Sequence, residues 1–176
     1  MSGHNKWSKI KNKKAVTDAY KAKVFGKLVK LIAVESRIAK GDTNAPGLRA
    51  AIDKAKQANV PSDNIERAVK KGVGGEAGAM EQITYEAYGP GGCALIIEAL
   101  TDSRNRAAQE IKHILSKNGY ELAAPGSAMW AFDKIQGEWV AKTPMSITDN
   151  DGDKLNVLIE ELEDNEEVQN VYTNAE

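Results

Sequence analysis

Cysteine is nearly missing from this sequence: Cys93 is the single one in 176 residues. No disulfide framework can form within the chain, and a reducing, cytoplasmic setting is the expectation. Histidine is scarce as well, with His4 and His113 alone. With Cys93 inside an apolar run, a His/Cys metal cluster is not expected. Aromatic residues make up 6% of the chain, and no apolar stretch approaches the length of a membrane span, so no membrane partner is expected. The N-terminus is basic without a following apolar segment, which excludes a secretory signal, and it is not Arg- and Ser-rich like a transit peptide. There is no G-x-S-x-G elbow, no H-E-x-x-H helix motif and no Walker-type loop. Neither catalysis nor a cofactor is expected.

What the chain does have is charge, sorted by sign. Its net charge is −1, but residues 1–75 hold 17 Lys/Arg against 6 Asp/Glu, while residues 76–176 hold 7 against 19. A basic half of this kind suits a polyanionic partner. The stretch "GHNKWSKIKNKKA" concentrates that charge in Lys6, Lys9, Lys11, Lys13 and Lys14, with His4 and Trp7 among them. Lysine suits phosphate without regard to base sequence, and a tryptophan between lysines can stack on a base or fix the tail against a helical core.

From Ala15 to Ala39 the apolar spacing of Phe25, Leu28, Ile32 and Ala39 predicts one long helix ended by Gly41. Lys23, Lys27 and Lys30 share a face of it. Pro46 suits the first turn of a second helix carrying Leu48, Ile52 and Ala55. Ser62 or Asp63 is the expected cap of a third helix, carrying Ile65 and Val69 and stopped by Gly72. "GVGGEAGA" (72–79) reads as a flexible joint.

Beyond it, "ITYEAYG" and "CALIIEALT" read as strands joined by "PGG", followed by a helix over 103–118 and a strand "SAMWAFDK". A helix from about Asp153 to Leu162 and a strand "VQNVYTN" close the chain, while 135–150 shows no period and Pro144 confines it to an edge or a loop. The fold class expected is α+β: a basic three-helix bundle over 1–75, then an acidic α/β sandwich over 76–176 with helices on one face of a mainly antiparallel sheet.

Three short patterns have a chemical reading beside a plainer one. "GPGG" (89–92) looks like a phosphate-cradling loop, but a strand follows it and not a helix, so a hairpin turn is preferred. "DNDGD" (149–153) spaces acids like a calcium loop, yet Lys154 stands where glycine is needed, and acids at a helix N-terminus explain the same string. Arg104 and Arg106 open a helix where cations oppose its dipole, which suits either an anion ligand or a salt bridge. A nuclease using Asp102 with Asp149 or Asp151 around a metal has no supporting spacing.

The stretches "GHNKWSKIKNKKA", "LRAAIDKAKQANVPSDNIERAVKKG", "YEAYGPGG", "LTDSRNRAAQEIKHILSKNG", "GSAMWAFDK" and "LEDNEEVQNVYTN" together resemble the YebC family. That family includes bacterial probable transcriptional regulatory proteins and the mitochondrial translational activator of cytochrome c oxidase. The resemblance covers about 1–134 and 138–176. It implies an N-terminal three-helix domain, following α/β domains and a non-enzymatic role in gene expression, either through DNA or through the ribosome at proline-rich stretches. It carries over the N-terminal motif (His4, Lys6, Trp7, Lys9, Lys11, Lys13, Lys14), the loop Tyr88, Gly89, Pro90, Gly91 and Gly92, and Asp102, Arg104, Asn105 and Arg106. Family members carry a further small α/β domain after "GSAMWAF"; here Asp133–Lys134 runs almost directly into "EWVAKTP", so that insert is expected to be absent near 135–138.

The expected partner is therefore a nucleic acid, ribosomal RNA or DNA, gripped by the basic half, and a homo-oligomer is compatible with this. RNA is favoured because no helix-turn-helix is evident and the tail is lysine-rich. The alternative is an interaction module docking a basic partner through residues 149–167.

Overall fold

The computed structural model describes residues 17–75 and 80–176. They form two compact units, a helical one that ends at Met80 and one running from Glu81 to Glu176.

The helical unit contains α1 (Asp18–Ile38), α2 (Pro46–Gln57) and α3 (Ser62–Val73). Thr17 caps α1, its hydroxyl accepting the Tyr20 N–H at 3.2 Å, with Asp18 complementing the dipole in the first turn. Pro46 opens α2 as expected, but Ala45 offers no side-chain cap. A carboxylate from α1 stands at this end, where it suits the helix dipole: Glu35 Oε2 lies 2.3 Å from where a Cβ on Gly47 would stand. At α3 the expected Ser62 or Asp63 cap is not made. Pro61 holds the cap position, and its φ of −57° delivers the chain into the helix without a side-chain bond.

Ile32, Leu48, Ala51, Ala55, Ile65 and Ala68 form the core of this bundle, with Phe25 and Leu28 partly buried against it. The helix α3 does not stop at Gly72 but passes through it, so Gly72 and Val73 belong to the bundle and not to a joint. A Cβ on Gly72 would meet the Ala33 carbonyl oxygen at 2.3 Å and Ser36 Cβ at 2.7 Å. Only glycine allows α1 and α3 to come this close, and Ser36 Oγ locks the contact by donating to the Val69 carbonyl at 2.7 Å.

The second unit runs β1 (Glu81–Tyr88), β2 (Ala94–Thr101), α4 (Arg104–Lys117), β3 (Phe132–Ile135), β4 (Glu138–Ala141), α5 (Asp149–Asp164) and β5 (Val168–Thr173). β2 is the centre of a three-stranded antiparallel sheet with β1 and β5 at its sides. Successive side chains of a strand point to opposite faces. Leu95, Ile97 and Ala99 therefore meet Ile111 and Leu115 of α4 and Leu155, Leu158 and Leu162 of α5. Ala94 and Ile96 face the other way, onto Phe132, Trp139 and Tyr172. That two-sided burial is why β2 reads as an unbroken apolar run. Each fully buried Leu or Ile there contributes roughly 1.5–3 kcal/mol. The expected α+β class stands, with the helices on one face and a second, two-stranded sheet of β3 and β4 on the other.

Two expectations change. "SAMWAFDK" is not one strand: Met129–Ala131 makes a single 3-10 turn, and strand geometry begins only at Phe132. The silent segment 135–150 contains β4, paired with β3 from Phe132↔Ala141 to Ile135↔Glu138. Gln136 and Gly137, both at positive φ (51° and 84°), close this hairpin in two residues. The following helix begins at Asp149 and not at Asp153, because Thr148 caps it by accepting the Asp151 N–H at 3.1 Å.

Replacing Gly72 with Ala forces α1 and α3 apart and is expected to destabilise the helical unit by about 1–3 kcal/mol. Urea unfolding followed by far-ultraviolet circular dichroism measures it, and an unshifted midpoint would mean the two helices are not in enforced contact.

Candidate nucleic-acid interface

His4, Lys6, Trp7, Lys9, Lys11, Lys13 and Lys14 lie outside the described residues. The bundle that follows them remains basic, with twelve Lys/Arg against six Asp/Glu over residues 17–75. Lys23, Lys27 and Lys30 stand on α1, Lys23 exposed and the other two half-buried. The helix α3 adds Arg67, Lys70 and Lys71, all exposed. Arg67 is held along its own helix: its guanidinium donates to Asn64 Oδ1, and its Nε to the Asp63 carbonyl at 3.3 Å. Arg67 and Lys71 were not singled out in the sequence. Their i, i+4 spacing within "ERAVKK" is the signal that places both on one face.

Arg104 and Arg106 are bound by carboxylates. Arg104 makes a two-pronged contact with Glu81 at 2.8 and 3.3 Å. Arg106 pairs with Asp102 at 2.6 Å and with the buried Glu167. These partners resolve the conflict between cations and the start of α4, and an incoming phosphate would have to displace them. The guanidinium of Arg104 holds the Glu81 carboxyl below its ordinary range, and hydrogen bonds to Glu167 and Asp102 raise Arg106 in turn.

Tyr88, Gly89, Pro90, Gly91 and Gly92 connect β1 and β2 as the hairpin turn the plainer reading gave. The Gly89 N–H donates to the Cys93 carbonyl at 2.8 Å, and the Gly92 N–H to the Gly89 carbonyl at 3.0 Å. Gly91 has φ 69°, and a Cβ there would meet Ile147 Cγ2 at 2.8 Å and Asp151 Oδ2 at 3.3 Å. With Asp151, from the first turn of α5, packed beside Gly91, the turn faces a carboxylate, which is the wrong sign for cradling phosphate. The neighbouring "DNDGD" is helical from Asp149, so it is not a calcium loop.

Glu86, at the other end of the same motif, was overlooked. Its side chain is 3% exposed, and its carboxylate accepts the N–H groups of Gly126 (2.5 Å), Ala128 (3.0 Å) and Met129 (2.7 Å). Those donors cannot also join a strand ladder, which explains why "SAMW" turns instead of extending. The loop so fixed carries Trp130, 53% exposed, whose indole N–H donates to Tyr88 Oη at 3.0 Å. Tyr88 Oη donates in turn to the Ser127 carbonyl. A glutamate in a strand facing its own sheet partner looks like any solvent-facing alternation, so nothing in the spacing marked it.

The nuclease pairing has no geometry behind it. Asp151 lies at the start of β2 against Gly91, while Asp102 follows its end, and eight strand residues span roughly 25 Å. Among the described residues no cluster of His, Cys, Asp and Glu could hold a metal ion, and no helix is long and apolar enough to cross a membrane.

The fold is that of a two-unit α+β protein with a basic helical unit and an acidic sheet unit. Residues 5–75 match the TACO1/YebC protein N-terminal domain, and residues 80–137 and 134–175 match the TACO1/YebC second and third domain. The chain belongs to the TACO1/YebC family. It is 55% identical over 137 residues to a probable transcriptional regulatory protein of Fervidobacterium nodosum, covering 76% of this chain and 54% of that one. A protein of the same name from Desulfatibacillum aliphaticivorans is 52% identical over 153 residues, covering 86% and 61%. The chain thus spans about half to three fifths of the length of these curated relatives. A further relative from Desulforamulus reducens is 37% identical over 240 aligned positions that take in all of this chain and 99% of its own. Among solved structures, a conserved hypothetical protein from Aquifex aeolicus superposes with a TM-score of 0.79 at 28% identity, covering 90% of this chain and 91% of that one. The relatives' names are those of regulators and not of enzymes.

Glu86→Gln turns an amide donor toward three backbone donors and is expected to cost about 1–3 kcal/mol, read by chemical unfolding of the intact chain. Wild-type stability in that variant would show that the three N–H groups find other acceptors. Glu81, with its carboxyl lowered by Arg104, adds stability that is complete above the ordinary value of 4.5 and is lost as pH falls through the lowered one. Glu81→Gln should therefore flatten the acid side of the stability profile and leave its shape above neutral pH unchanged. An identical acid limb in the two proteins would remove the pair from the account.

Proposed function

We propose that this chain is a non-enzymatic regulator of gene expression that binds nucleic acid through its basic helical unit. The observation that supports it is the separation of charge between the two units: residues 17–75 are basic throughout, and the lysines before them add to the same sign, while the second unit is acidic. Contacts from lysines to phosphates are indifferent to base sequence and release counterions, so they give affinity that falls steeply with salt. The acidic unit repels the same polymer, which restricts engagement to a limited stretch and disfavours coating of a duplex. The names of the relatives support a role in transcription. The lysine-rich tail favours RNA, and with it the ribosome, as the target.

The interaction-module reading has less behind it. Lys117 and Asn118 hold the Glu161 carboxylate of α5, and Asp149, Glu160, Glu163, Asp164 and Glu166 are likewise engaged within the fold. Such acids are structural partners before they are a docking face.

Fluorescence anisotropy of the intact chain on a labelled RNA, repeated across a salt series, tests the proposal. Replacing Lys9, Lys11, Lys13 and Lys14 together by Ala should lower the log–log salt slope by up to about 3 if all four neutralise phosphates, and an unchanged slope would remove them from the interface. Ribosome co-sedimentation set beside duplex-DNA binding on one sample separates the targets. Duplex binding without ribosome retention would overturn the RNA preference.

A further inference from the structure

The helical unit contains a glycine that its own fold does not need. Gly26 sits in the middle of α1, exposed, and a Cβ built there finds nothing within 4 Å. Glycine inside a helix costs about 1 kcal/mol relative to alanine. Gly72, in α3, meets that cost because α1 leaves no room for a side chain. Among the described residues Gly26 has no such neighbour, and it has no positive φ.

The space beside Gly26 is a groove of about 350 Å³ between α1 and α3. Phe25 and Val29 of α1 and Ala68 of α3 supply an apolar floor, and Asn64, Arg67 and Lys71 line its α3 side. Phe25 and Val29 are only partly buried against the bundle core. On the α1 side, Lys23 and Lys30 stand three residues before and four after Gly26, on the same helical face. The site thus combines an apolar floor, a missing side chain and cations along its α3 wall, with Lys23 and Lys30 on α1 outside its lining. The Arg67 guanidinium is already oriented by Asn64 and the Asp63 carbonyl, so little of its freedom remains to be lost on binding.

We propose that this groove takes one nucleotide of a single strand, its base entering over Gly26 against Phe25 and Val29 and its flanking phosphates meeting Arg67 and Lys71. A planar base joined to phosphates matches both features of the groove, the apolar floor and the cationic α3 wall. An acidic peptide matches only the charge, and an apolar helix only the floor. A duplex keeps its base faces stacked internally and cannot offer one. Base–aromatic contact is tolerant of sequence and contributes about 1–3 kcal/mol per base, and the α3 cations add the salt-dependent part. This inference rests on the nucleic-acid reading above and deepens it by naming the strandedness and the seat.

The glycine makes a clean test, because filling it spares the fold. Gly26→Ala should raise the melting temperature through helix propensity, and Gly26→Leu should fold while blocking the groove. On the intact chain, binding of a labelled oligouridylate should weaken roughly tenfold in Gly26→Leu, with the salt slope unchanged. Arg67→Gln should instead lower the slope by about 0.7, the value for one phosphate of a single strand. Wild-type affinity for the oligouridylate in Gly26→Leu would overturn the groove as the seat and leave nucleic-acid binding standing. Equal loss on oligouridylate and duplex DNA would also overturn it, since a duplex cannot insert a base. Should Gly26→Leu keep its affinity while the segment before Thr17 becomes quicker to cut by protease, the occupant is the chain's own N-terminus and the proposal falls. A wild-type protein that ignores every polynucleotide in dilute buffer would instead sink the reading beneath it.

Discussion

A carboxylate with almost no exposure must be met by fixed donors, and at Glu86 those donors are three backbone N–H groups of one loop. This contact ties the edge strand β1 to residues 126–129, two stretches forty residues apart in the chain. Much of the second unit follows from it. The loop is bent into a turn, Phe132 is delivered beneath the sheet, and β3 and β4 cover the face of β2 that the helices leave open. The exposed pair Tyr88 and Trp130 is set by the same bend. Remove the carboxylate and the amides have no ladder to rejoin, because strand geometry starts only at Phe132.

The helical unit is governed by distance instead. α1 and α3 approach until only a glycine fits between them, and the Ser36 hydroxyl then fastens the contact to a backbone carbonyl. Nearer the N-terminus of α1, Phe25, Gly26 and Val29 stand with Asn64, Arg67, Ala68 and Lys71 of α3 around an open groove.

Much of this was legible in the sequence. The apolar spacing of Phe25, Leu28 and Ile32 gave α1, Pro46 gave the start of α2, and the unbroken run of β2 announced a strand buried on both faces. The preference for a hairpin at "GPGG" was sound because a strand, not a helix, follows it. Less legible were features that depend on a partner distant in the chain. Gly72 looked like a helix stop because glycine usually ends helices, and its real reason is Ala33, thirty-nine residues earlier. "SAMW" looked extended because its amides are withdrawn by a carboxylate that carries no local mark. Trp139 had no period because its indole N–H answers Glu98 at 3.0 Å and its ring lies under Lys134 at 4.9 Å, side-chain contacts outside any repeat. Of the candidate interface residues, Lys23, Lys27 and Lys30 were visible as a helical face. Arg67 and Lys71 share a face by their spacing too, but only the packing of α3 on α1 brings that face beside Gly26.

The two-residue turn at Gln136–Gly137 lies where the family match leaves off and resumes, at residues 134–137. Every cross-strand pair of β3 and β4, from Phe132↔Ala141 up to Ile135↔Glu138, is complete before the chain reaches that tip. Entry and exit there stand about one strand spacing apart, roughly 5 Å. A whole folded appendage could be spliced in or pruned away at this point as one cassette, and the ribbon below would keep its register either way.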